Sequence, residues 1–202
     1  MIGIVANWRR PPAFVLAAAF VCASQFHAGH AHAQSGPLAE KIQLCSACHG
    51  EDGNSKIEKI PSIAGQPAFF ILNQLFLMRQ GVRKVEAMAP IVKDLKDDEL
   101  TRLSEHFAKL PAKRSDEAID PALAKKGAEI ATHRGCGSCH LPNLTGSEQM
   151  PRLAKQRIDY LTTSLKEFRD TTRPGGDTAM SANLAGASDA DLVALAHYAA
   201  SL

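Results

Sequence analysis

Two copies of one five-residue pattern carry the chemistry of this chain: Cys45-Ser-Ala-Cys48-His49 and Cys136-Gly-Ser-Cys139-His140. Two thiols three residues apart can each add to a vinyl group along one edge of a porphyrin. A histidine directly after the second thiol then presents an imidazole nitrogen to the iron. The pattern predicts two covalently bound haem c groups, with Cys45, Cys48, Cys136 and Cys139 as the attachment points and His49 and His140 as iron ligands. Of the five cysteines only Cys22 lies outside the motifs. Paired cysteines also suit a redox dithiol or structural disulfides, but neither requires a histidine after the second cysteine in both copies. A four-cysteine zinc site is a third reading, set against the 87 residues that separate Cys48 from Cys136, far beyond the spacing of zinc ribbons.

A histidine fills one axial position of each iron, and a thioether is the natural candidate for the other. Met88 lies 39 residues after His49 and Met180 lies 40 after His140, each preceded by alanine. Both are expected in loops ahead of the last helix of their half, on the face of the ring opposite the histidine. Methionine ligation favours ferrous iron, so the sites should be six-coordinate and high in potential. Met78, inside a helical apolar pattern, and Met150, ten residues after His140, read as packing residues. His106, His133 and His197 have no counterpart in the other half and read as ordinary helix residues. Pro61 and Pro151, 12 and 11 residues beyond His49 and His140, are placed so that a carbonyl could accept the second imidazole N–H and fix its tautomer.

The motifs sit in a longer duplication. Pro61-Ser-Ile-Ala-Gly-Gln66 aligns with Pro151-Arg-Leu-Ala-Lys-Gln156, Ala87-Met88 with Ala179-Met180, and Leu100, Leu103 and Leu110 with Leu192, Leu195 and Leu202. The pattern resets in the polar, proline-bracketed stretch from Pro111 to Pro121. The expected organisation is a leader over 1–33, a first domain over 34–112, a linker over 113–120 and a second domain over 121–202. Each domain is small enough that its own core is marginal, and a haem would add buried surface.

Helical spacing predicts the elements that position these groups. Short helices over about Leu38 to Cys45 and Pro121 to Arg134 lead into the haem motifs, the second capped by Asp120 with Pro121 in its first turn. Second helices are expected over about Pro67–Arg79 and Arg157–Phe168. Terminal helices carry Leu100, Leu103, Phe107 and Leu110, and Leu192, Leu195 and Ala199, with Ser188 and Asp191 as a capping box. No segment alternates as a strand would, and the fold class expected is all-α.

Over all 202 residues, 45% are hydrophobic, 22% charged and only 5% aromatic, a globular and helix-favouring composition. A formal charge of +2, with charges scattered singly, excludes the basic stripe of a nucleic-acid binder. Arg9 and Arg10 ahead of the apolar run from Pro12 to Ala23, then Ala31-His32-Ala33, read as a cleavable export signal, the run being too short to span a bilayer. Its removal would bring Lys+Arg from 23 to 21 against 21 Asp+Glu, a neutral mature chain.

With Cys45-x-x-Cys48-His49-Gly50, Asp52-Gly53-Asn54, Pro61-x-x-Ala64-Gly65-Gln66, Met88 and the second set through Met180, nearly the whole mature chain resembles the periplasmic two-domain dihaem c-type cytochromes, and among them cytochrome c4. The resemblance implies two tandem class I cytochrome c folds, each with a His/Met haem. It implies one-electron transfer between membrane respiratory complexes and an oxidase or reductase, with redox proteins as partners. Peripheral membrane association is compatible with it, and no small-molecule substrate is implied. Two saturated irons leave no vacant position for an enzyme's substrate. The alternatives are an electron-transfer subunit of a larger dehydrogenase or oxidase, and a dihaem enzyme such as a peroxidase or a thiosulfate-oxidising haem protein. Three positions depart from the pattern: Leu141 and Lys155 stand where glycines are expected, and Lys96 stands where the other half has Ser188.

Overall fold

A computed structural model describes Gly3 and residues 37–202; apart from Gly3, the expected leader lies outside the described residues. The chain is helical where it is ordered into elements. The first half holds α1 (Pro37–His49), α2 (Ala68–Arg79), the single turn α3 (Ala89–Val92) and α4 (Asp97–Ala108). The second holds α5 (Pro121–His133), α6 (Cys136–His140), a 3-10 turn over Pro142–Leu144, α7 (Ile158–Arg169), α8 (Thr178–Leu184) and α9 (Asp189–Ser201). Among the described residues the only extended pairing is an isolated bridge between Ser147 and Met150.

Two apolar cores form, one per half. Ile71, Val92, Leu95, Leu100, Leu103 and Phe107 make the first. Leu144, Leu161, Leu165, Leu184, Leu192 and Leu195 with several alanines make the second. The i, i+3, i+7 spacing of Leu100, Leu103 and Phe107 puts them on one stripe of α4, and all three are buried. Each such side chain contributes about 1.5–3 kcal/mol by leaving water. Helix α9 is buried more widely because Ala194, Ala196, Ala199 and Ala200 let neighbours approach closely. A Cβ added at Gly127 of α5 would lie 2.0 Å from the Ala194 carbonyl oxygen, so α5 and α9 cross at a point that only glycine admits.

The haem motifs begin differently in the two halves. Helix α1 runs on through Cys45 to His49, four residues past the expected end, because nothing breaks it before Gly50 at φ 90°. In the second half Gly135 turns left-handed at φ 65°, stops the chain after α5, and lets α6 start afresh at Cys136. Asp120 caps α5, its carboxylate accepting from Ala122 N at 2.8 Å and Leu123 N at 3.1 Å. Ser188 and Asp191 form the expected capping box. Lys96 cannot accept a hydrogen bond, so α4 keeps only the returning half of that motif, Lys96 N–H donating to Glu99 Oε2 at 2.9 Å.

The expected linker contains no helix, yet it is bonded to both halves. Lys113 pairs with Asp52 at 2.6 Å, and Glu117 accepts from Ile158 N and Asp159 N at 2.8 and 2.9 Å, capping α7. Asp120 N–H donates to His197 Nδ1 at 3.1 Å, a role for that histidine that lay outside the sequence pattern.

Where glycine is replaced, the backbone keeps the glycine shape. Lys155 sits at φ 60° against 64° for Gly65, and Leu141 at 67° against 90° for Gly50. A left-handed residue with a Cβ costs roughly 1–2 kcal/mol, while glycine gives back about 0.4–1 kcal/mol as freedom in the unfolded chain. Lys155→Gly should therefore raise stability by about 0.5–1 kcal/mol, read as a higher denaturant midpoint with unchanged slope. A lower midpoint would show that the lysine side chain contributes more than the strain costs.

Candidate functional site

Both haem-motif histidines are buried and held the same way. His49 Nδ1 lies 2.8 Å from the Pro61 carbonyl oxygen, and His140 Nδ1 lies 2.9 Å from that of Pro151. A carbonyl can only accept, so Nδ1 carries the proton and Nε2 keeps its lone pair. Burial pushes both imidazole pKa values down, opposed by the carbonyl bond. Each ring is thus a neutral imidazole with one free nitrogen, the form that binds iron.

The four motif thiols are free. Cys45 and Cys136 are half-buried, Cys48 and Cys139 exposed, and none is in a disulfide. Burial pushes the Cys45 thiol up to about 11 and raises that of Cys136. Reactive dithiols instead have lowered pKa values. Among the described residues no three His, Cys, Asp or Glu side chains converge to hold a metal by themselves. A free imidazole nitrogen on the same short motif as two uncommitted thiols fits an iron held in a porphyrin.

Met88 stands in a turn just ahead of a helix, whereas Met180, expected in a loop, lies on one. Met88 precedes the first residue of α3, its N–H bonded to Val85 O at 2.9 Å. Met180 lies in the first turn of α8, where Asp177 caps Ala179 N and Met180 N at 2.8 and 3.1 Å. These turns form because Pro90 suits a first turn and Asp177 supplies an acceptor for exposed N–H groups. Cys45 and Met88 pack against the first core, Cys136 and Met180 against the second, so each half brings its motif and its methionine to one cluster. Met78 packs against the first core from α2. His106 stacks edge-on with Phe107, and His133 ends α5 at the surface.

The segments that anchor the histidines also join the halves. Gln156 Oε1 accepts from Ser62 N at 2.8 Å, while its Nε2 donates to Ser62 O at 2.8 Å. In the corresponding place Gln66 Oε1 accepts from Arg152 N at 2.9 Å, and its Nε2 donates to Arg152 O at 2.8 Å. Residue i of one half meets j of the other and j meets i, the signature of an approximate twofold relation. These glutamines and Arg152 are buried. The repeat marks their positions, but nothing in the sequence says that each glutamine reaches across.

Comparisons with known proteins give the family. The family model described as Cytochrome c matches residues 124–202. Cytochrome c4 of Pseudomonas aeruginosa is 33% identical over 185 residues, covering 84% of this chain and 90% of that protein. The chain belongs to the cytochrome c4 family. The crystal structure of reduced cytochrome c4 from Pseudomonas stutzeri superposes with a TM-score of 0.73 at 32% identity, covering 81% of this chain and 95% of that one. A thiosulfate dehydrogenase electron acceptor of Thiomonas intermedia is 30% identical over 142 residues, 65% of each chain. As a member of the cytochrome c4 family, this protein is an all-α dihaem electron carrier with covalently bound haem c, and its partners are redox proteins in general.

Proposed function

We propose that Cys45 and Cys48 hold the first haem with His49 and Met88 on its iron, and that Cys136 and Cys139 hold the second with His140 and Met180. The domain limits proposed are those of the repeat, 34–112 and 121–202. The observation that carries this assignment is the pair of His–proline carbonyl bonds, each leaving one imidazole nitrogen free beside a pair of uncommitted thiols. When bound, the haem supplies an iron that takes up and releases one electron. His49 and His140 hold their rings in one tautomer through Pro61 and Pro151, so no proton needs to move on the ligand. The two cores exclude water on the buried side. Two methionines leave neither site open, which favours a carrier and not an enzyme.

The reading extends to a periplasmic carrier whose donor is a membrane respiratory complex and whose acceptor is an oxidase or reductase. No described helix is long and apolar enough to cross a membrane. A second reading, electron acceptor to a thiosulfate-oxidising partner, is favoured by the similarity to the Thiomonas intermedia protein. Haem-to-protein stoichiometry with oxidised and reduced optical spectra tests the assignment. Two haems per chain and a methionine-sulfur charge-transfer band in the ferric state are expected. A high-spin ferric spectrum would favour an enzyme.

A further inference from the structure

Two arginines are buried where the halves meet, and they are treated differently. Arg157 has Asp116, Glu117 and Asp159 within 3.5, 3.8 and 2.8 Å, a fully compensated charge. Arg152 is only 6% exposed and has no carboxylate of the described residues within ion-pair distance. Its Nε is buried without a hydrogen-bond partner, and desolvation pushes its pKa down to about 10. A charge desolvated without a counter-ion is costly and usually has an acceptor in the working protein.

The guanidinium's other contacts reach both halves. One terminal nitrogen donates to the Ala64 carbonyl at 2.8 Å and the other to the Ala154 carbonyl. Ala64 and Ala154 are corresponding positions, each three residues after the proline that anchors its half's histidine. The cation thus sits on the approximate twofold axis. An axis has room for one guanidinium, which explains why the position equivalent to Arg152 is Ser62. Each haem c brings two propionate carboxylates, on the porphyrin edge opposite its thioethers.

We propose that Arg152 is a positioning residue shared by both haem sites, its single axial charge compensating haem carboxylates at the junction and holding both reduction potentials up. The inference rests on the haem assignment above. A nearby fixed cation favours the ferrous state, which carries one positive charge fewer than the ferric.

Potentiometric titration of purified Arg152→Gln, Arg152→Lys and the exchange variant Ser62→Arg/Arg152→Ser tests it, with haem content measured separately. With two haems retained, Arg152→Gln should shift the ferrous/ferric equilibrium of both sites by about tenfold, or about 59 mV for a one-electron couple. Arg152→Lys should keep most of the charge effect, and the exchange variant should restore both potentials because the axis can be reached from either half. Unchanged potentials in Arg152→Gln, or a fall in Arg152→Lys as large as in Arg152→Gln, would show a structural role only and overturn the proposal. If Arg152→Gln fails to fold, the exchange variant decides: parental potentials support the axial charge, and lowered ones overturn it. A parent protein lacking two haems would instead refute the underlying assignment.

Discussion

Replacing Met88 by alanine is expected to lower the potential of one haem by on the order of 0.2 V, within the roughly 0.8 V range that axial ligands set, and to leave the other nearly unchanged. The thioether stabilises ferrous iron, and no other described side chain of that half shares the place of Met88 in the repeat. One carbon monoxide should then bind per chain, since one axial position is vacated. Separate cores make the effect local, because Met88 packs against the first and Met180 against the second. Met78→Ala is the control, a methionine on the same core from α2 whose loss should cost stability and move neither potential. If the titration of Met88→Ala overlays that of the parent and no carbon monoxide binds, Met88 is not a ligand.

The largest effect on stability is expected at Gln156. Its amide serves three partners: it bonds Ser62 N and Ser62 O across the junction, each at 2.8 Å, and accepts from Arg157 N at 3.0 Å. Gln156→Leu keeps the bulk and strands those backbone groups in a buried place. At about 1–3 kcal/mol for each group left unsatisfied, the loss should be about 3–5 kcal/mol. Because the missing bonds join the halves, denaturant unfolding should also broaden or split as the halves lose cooperativity. Gln66→Leu removes only the bonds to Arg152 and should cost less. A loss under about 1 kcal/mol for Gln156→Leu would mean that water replaces the amide.

Much of this was legible in one dimension. The haem motifs, the helix faces of Leu100, Leu103 and Phe107, the Asp120 and Ser188 caps and the proline carbonyls over His49 and His140 all follow from short-range spacing. Helix continuity was less legible: α1 passes through its haem motif whereas α5 stops before its own, because Leu44 extends a helix and Gly135 takes a left-handed turn. The backbone at Lys155 and Leu141 was also hidden, since local preference argues against φ above zero and the surrounding fold imposes it. Met180 was expected in a loop because a seven-residue helix capped by Asp177 has too short an apolar pattern to stand out.

The sequence alone determined what is chemically possible: two porphyrin attachment sites, their histidines, and a duplicated helical plan, all encoded within a few residues of one another. Only the tertiary structure decided how the duplicates meet. The glutamine bonds to Ser62 and Arg152 and the guanidinium's bond to Ala64 join residues about ninety positions apart, and the linker's bonds to Asp52, Ile158 and His197 span 41 to 77 positions. Which buried polar group finds which partner depends on how the two halves pack, and no local pattern carries that information.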